Sequence, residues 1–162
     1  MSVIAATVEI WKFNRVRTLA TLDAIAELSD PAAVLSWRPG PERAHIAWQL
    51  MHVAVTEELF ATSRLNGSDP SFADLVERFK GGSTPDDDIP SIDQIRDVLG
   101  ATREHILGSA LEMSEEDLTR VPEAFKERGW NIATLFQIVA WHEPHHQGQA
   151  HATLNAWKAA NP

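Results

Sequence analysis

AHIAWQLMHVAVT, residues 44–56, holds no Asp, Glu, Lys or Arg. A second stretch, WHEPHHQGQAHATLNAW at residues 141–157, lies in a segment whose sole formal charge between Gly129 and Lys158 is Glu143. Both read as helices. Pro39, Gly40 and Pro41 precede the first and Asn66-Gly67 follows it, the punctuation expected at helix ends. A helix that is apolar nearly all round must be covered on most of its sides. These two are therefore central helices of an all-α domain, and a homodimer that covers part of one is the expected assembly.

Two further helices complete the reading. In the segment 3–28, Ile4, Val8, Trp11, Val16, Leu19, Leu22 and Ile25 recur at helical spacing until Asp30-Pro31 stops it. In the segment 91–111, Ser91 and Gln94 form a capping-box pattern, and Ile92, Ile95, Leu99, Thr102 and Ile106 then share one face. Ser114 ahead of Glu115, Glu116 and Asp117 caps a short extra turn. The central helices are expected over 42–65 and 131–157, with moderate connections at 29–41 and 112–130 and a long one at 66–90. A long middle crossover lets the second and third helices of a four-helix bundle lie parallel. Asp86-Asp87-Asp88 within it reads as a solvated loop.

The totals narrow the function. A chain of 162 residues is one domain, here 1–162, with ordinary apolar (44%) and charged (23%) fractions. The absence of cysteine excludes disulfides, thiolate metal sites and a cysteine nucleophile. A net charge of −9 without a Lys/Arg cluster argues against nucleic acid as a partner. No signal peptide or membrane-spanning run is read, so the cytoplasm is the expected location.

The histidines concentrate in the uncharged helices: His45 and His52 in one, His142, His145, His146 and His151 in the other, with His105 elsewhere. A buried imidazole must be hydrogen-bonded or metallated, because bare ring nitrogens cost a few kcal/mol. His142 and His146, four residues apart, project from one helix face, and His52 supplies a third imidazole from another helix. Three neutral imidazoles suit one divalent transition metal (zinc, nickel, iron or copper) over calcium or magnesium, and three ligands leave a position open for chemistry. The plain alternative is a bundle whose histidines only pack and hydrogen-bond.

The stretch from Trp141 to Trp157 resembles the C-terminal helix of the DinB-like superfamily, in which an H-x3-H pair is followed by G-Q; His142, His146, Gly148 and Gln149 match. The aromatic and aliphatic setting of His52 is similar to the family's remaining ligand in helix two. The resemblance implies an up-down-down-up bundle, commonly dimeric, with metal ligands His52, His142 and His146. It also implies relatives that include bacillithiol- or mycothiol-type S-transferases and metal-dependent hydrolases. Pro144 departs from an ideal helix: it removes an N–H that would bond the Ala140 carbonyl, and its ring crowds that group.

Around these residues, Gln149 returns to the His142 face and either orients a histidine, contacts substrate or packs the helix. His45 lies at the pocket mouth or, better, in water near the helix start. Glu143 accepts a bond from an imidazole or stays partly exposed. Glu57 and Glu58 read as surface or interhelix contacts. Thr56, one turn from His52, is within reach of a metal-bound water. Trp48 and Trp141 flank the ligands and wall the pocket. His145 is rotated away by about 100°. Without an anionic ligand, such a site favours an anionic partner. The expected chemistry is transfer of a small thiol to an electrophile, with metal-assisted hydrolysis and a non-catalytic metal- or small-molecule-binding stress protein as alternatives.

Overall fold

A computed structural model describes residues 2–162. Its elements are α1 (Val3–Ala26), α2 (Pro31–Ser36), α3 (Ile46–Leu59), α4 (Ala73–Phe79), α5 (Ile92–Leu111) and α6 (Ile132–Ala160). A π-helical turn, Phe60–Arg64, extends α3, and two 3-10 turns, Glu116–Thr119 and Glu123–Arg128, lead into α6. Among the described residues there is no strand, and no helix is long and apolar enough to cross a membrane.

Local chemistry sets the ends. Ser2, Ser91 and Asn131 accept hydrogen bonds from the N–H groups of Ala5, Gln94 and Thr134, satisfying donors that a helix start leaves free. Asp30-Pro31 follows the end of α1 and also begins α2: Asp30 caps it, and proline at the first position lacks an N–H that had no partner anyway. The second long helix starts at Ile46 and not near 42, because Glu42 adopts a left-handed φ of 58° and His45 is the capping residue. α2 and α4, at six and seven residues, are too short to show a period in the sequence.

The four long helices pack as a ring in which α1 and α3 each touch both α5 and α6. Hydrogen bonds give the directions. Trp11 donates to the Phe136 carbonyl and Gln147 to Thr21, so α1 and α6 run parallel. Ser109 donates to the Ala61 carbonyl and His105 bonds Glu58, so α3 and α5 run parallel. Asp23 bonds Arg96 and Arg15 bonds the Leu99 carbonyl, so α1 runs antiparallel to α5, which gives an up-down-down-up order with α4 inside the crossover. α3 is buried from Ile46 to Glu58 by this chain alone, so its lack of charge needs no second subunit.

Two apolar clusters fill the ring. One gathers Leu22, Ile25, Leu50, Met51, Leu99 and Leu154, the other Trp11, Phe60, Ile106, Ile132 and Phe136. Between them lies a buried polar layer with one residue from each long helix: Arg15, Glu57, Arg103 and Glu143. Arg15 donates to Glu143 at 2.7 Å, to Glu57 at 2.8 Å and to the Leu99 carbonyl, while Arg103 bonds both carboxylates through Nη2. The sequence pattern puts Val16 on the core face of α1. Val16 is 63% exposed, and the period Ile4, Val8, Trp11, Arg15, Thr18, Leu22, Ile25 is unbroken once the charged residue is admitted.

This layer corrects the reading of Glu143, whose two oxygens are taken by Arg15 and Arg103. It is neither exposed nor hydrogen-bonded to an imidazole. Glu57 makes the interhelix contact, and Glu58 is likewise buried, bonded to Ser71 and His105. Removing one member of such a cluster leaves an unbalanced buried charge, at a cost of about 3–5 kcal/mol. Arg15→Met is expected to lower the urea-unfolding free energy by about that much. Arg103→Met, which removes a residue bonding through a single nitrogen, is expected to lower it by less.

Candidate metal centre

α3 and α6 cross antiparallel where His52 meets His142 and His146. The ring centroids lie 4.9, 4.6 and 4.5 Å apart for His52–His142, His52–His146 and His142–His146. One donor atom from each of the three lies within 4.8 Å of the others, a group able to hold a metal ion.

The remaining ring nitrogens show why the cluster is arranged this way. His52 Nδ1 donates to the Phe79 carbonyl at 2.6 Å, and His146 Nδ1 donates to Gln49 Oε1 at 2.5 Å. Each bond fixes a tautomer in which Nε2 carries the lone pair, the usual support for a metal-binding histidine. His142 Nε2 lies 3.1 Å from His52 Nε2. Tetrahedral Zn–N bonds of 2.0–2.1 Å set neighbouring nitrogens about 3.3 Å apart, close to the spacing of this pair, and the three donors together could hold a metal ion. Burial, with the neighbouring imidazoles adding to it, pushes His142 and His146 down to about 3. Burial also lowers His52, against the pull of the Phe79 carbonyl. All three rings are therefore neutral near pH 7, the form that ligates.

Pro144 does not break this geometry. α6 runs unbroken from Ile132 to Ala160, and the Ala140 carbonyl left without its helical donor accepts from Asn14 Nδ2 at 2.9 Å. A side chain of α1 thus replaces the missing bond.

The other sequence-predicted residues divide. Trp48 stacks on His52 with centroids 4.7 Å apart and planes at 9°, and donates to Ser83. Thr56 faces the cleft shared by His52 and His142. Gln149 bonds Gln49 and His145 and no histidine of the cluster, so it braces Gln49 from behind. His45 is 1% exposed, neither in water nor at a pocket mouth. Its Nδ1 caps the Trp48 N–H, and its Nε2 bonds the Asp86 carbonyl. Trp141 is 60% exposed and stacks on His145, away from the three histidines. The acidic run is a surface loop held by arginines, Arg78 to Asp86 and Asp88 and Arg38 to Asp87.

Sequence reasoning missed Gln49 and the Phe79 carbonyl. Gln49 had a signal, since it is the sole amide in residues 44–56 and lies three residues before His52 on the same face. Phe79 had none: a backbone carbonyl reaches the site only because α4 folds back over α3.

A bundle with three neutral imidazoles converging between two antiparallel helices defines a class of helical proteins with a candidate metal site. The DinB superfamily pattern matches residues 10–150, and the chain belongs to that superfamily. Its fold is similar to the crystal structure of a conserved protein from Enterococcus faecalis, with a TM-score of 0.78 and 21% identity over 96% of this chain and 97% of that one. No curated protein matches the sequence.

Loss of an outer hydrogen-bond partner typically weakens metal binding by roughly 10–100-fold. Gln49→Leu is expected to show a loss of that size for zinc or nickel in a chelator-competition titration, and Gln149→Leu a smaller one. His52→Ala and His146→Ala are expected to lose stoichiometric metal altogether.

Proposed function

We propose that the protein is a metal-dependent S-transferase, joining a low-molecular-weight thiol to an electrophilic carbon at the His52, His142 and His146 site. The observation that carries the reading is the donor set: three neutral imidazoles, two oriented by neutral acceptors, with no carboxylate among them. His52, His142 and His146 would hold a zinc, nickel or iron dication, which would supply uncompensated positive charge able to lower the pKa of a bound thiol. Membership of the DinB superfamily supports the same reading.

The chain's own groups then have defined tasks. Phe79 and Gln49 hold the imidazoles in their ligating tautomers. Trp48 covers one face of His52 and keeps water from that side. Thr56 offers a hydroxyl to the cleft about one turn from His52. In the transfer, a sulfur–carbon bond forms as the bond to the leaving group breaks. The leaving group takes the electron pair, and the thiol proton passes to solvent.

Hydrolysis fits less well. Its water needs a general base, and the cleft beside the histidines has no Asp or Glu in its lining. The nearby carboxylates Glu57, Glu58 and Glu143 are all engaged in buried bonds.

The test is conjugation of a thiol panel to a chloronitroarene by zinc- or nickel-loaded protein. Turnover above the uncatalysed rate is expected, lost on chelation and in His146→Ala. Ester or amide cleavage by the loaded protein with no thiol conjugation would establish the hydrolase instead. Stoichiometric metal with neither activity would leave a binding protein.

A further inference from the structure

The cleft that opens from His52 and His142 has a volume of about 470 Å³. One wall is a single ridge at four-residue spacing: His52, Thr56, Phe60 and Arg64, the last two in the π-helical turn. Such turns are frequent at functional sites because they re-aim side chains. The facing wall comes from the last 3-10 turn and the residues after it, Phe125, Arg128 and Trp130. Gly129, at a φ of 63°, reverses the chain between that arginine and that tryptophan.

The two arginines lie against aromatic faces. The Arg64 guanidinium sits 4.6 Å from the Phe60 ring centroid and that of Arg128 4.8 Å from Trp130. Phe125 links the two supports, stacked at 6.4 Å on Phe60 and 5.8 Å on Trp130. Face contact leaves the edge N–H donors of a guanidinium free for bidentate bonds. Among the described residues Arg17, Arg43, Arg64, Arg120 and Arg128 form no ion pair, whereas Arg15, Arg38, Arg78, Arg96 and Arg103 do; of the five without one, Arg64 and Arg128 line this cleft. The chain carries a net charge of −9, yet it keeps this aromatic-backed cationic pair without an acid. Burial and the nearby Arg128 charge both hold Arg64 below the usual guanidinium range, a repulsion that an anion between them relieves.

We propose that Arg64 and Arg128 bind a carboxylate, placing the reactive end of the molecule that bears it toward His52 and His142, the carboxylate being carried by the electrophilic substrate or by the thiol. The proposal rests on the reading of the histidine cluster as the reaction centre, but carboxylate binding itself requires no metal.

Metal-free protein is titrated with benzoate, followed by tryptophan fluorescence, with benzyl alcohol as the neutral control. Benzoate is expected to bind and the alcohol not. Arg64→Gln/Arg128→Gln is expected to weaken binding roughly tenfold or more, and Arg64→Lys, which keeps the charge but loses the fork, to weaken it in part. His146→Ala is expected to bind benzoate as the wild type does. That separates this site from the transferase reading, because a protein that binds benzoate but conjugates nothing loses only the latter. Equal affinity for benzoate in wild type and double variant, or no preference over the alcohol, overturns the proposal. With loaded protein, 4-chloro-3-nitrobenzoate is compared with its uncharged analogue at fixed thiol, and 3-mercaptopropionate with 2-mercaptoethanol at fixed electrophile. The series whose KM rises in the double variant identifies the molecule that carries the carboxylate; a rise in neither overturns the proposal.

Discussion

Arg15, Glu57, Arg103 and Glu143 meet in the middle of the bundle, two positive and two negative charges with one residue from each long helix. The apolar clusters on either side tolerate sliding, because hydrophobic contact has no direction. A layer of guanidinium–carboxylate bonds does not: a shift of one helix by a turn separates the partners and strands a buried charge. The layer therefore fixes the level at which all four helices stop sliding, and with it the position of the site. Glu57 lies five residues after His52 on α3, and Glu143 lies between His142 and His146 on α6. With the two carboxylates sharing the same arginines, α3 and α6 stand at the level where the three histidines face one another.

The outer bonds of the histidines give the site its electrostatic character. In many metal sites the imidazole N–H is met by a carboxylate, which adds negative charge behind the ligand. Here the acceptors of His52 and His146 are a backbone carbonyl and a glutamine amide. The carboxylates that lie close in sequence are neutralised in the polar layer, out of reach of the rings. The two features act together: every nearby acid is assigned to holding helices together, and the site is left cationic when a dication fills it. The Arg64 and Arg128 pair extends the same polarity along the cleft. Against an overall charge of −9, this is a local positive field that favours anions at the site over the rest of the surface.

Pro144 illustrates how the fold accommodates a locally unfavourable residue. Proline inside a helix forfeits a hydrogen bond and typically kinks the chain. Asn14 of α1 supplies the missing donor to Ala140, one residue before Arg15 joins the polar layer. The same short piece of α1 thus repairs α6 and sets its level, next to the two histidines that α6 contributes.

The sequence by itself determined the all-α class, the four long helices and the identity of the three histidines. Each of these follows from spacing along one chain: a period of 3.6 residues, a cap such as Ser91 at a helix start, and an i, i+4 pair in a helix that carries almost no charge. Tertiary structure decided what those features are for. Glu143 looked like a lone charge, and only the meeting of four helices placed it in an internal layer with Arg15, Glu57 and Arg103. His45 and Gln149 had the register of site residues but were claimed by a helix cap and a neighbouring amide. The Phe79 carbonyl and Arg128 come from positions 79 and 128, far along the chain from His52. Groups so far apart along the chain leave no periodic trace, because their proximity depends on how α4 and the last 3-10 turn fold over α3.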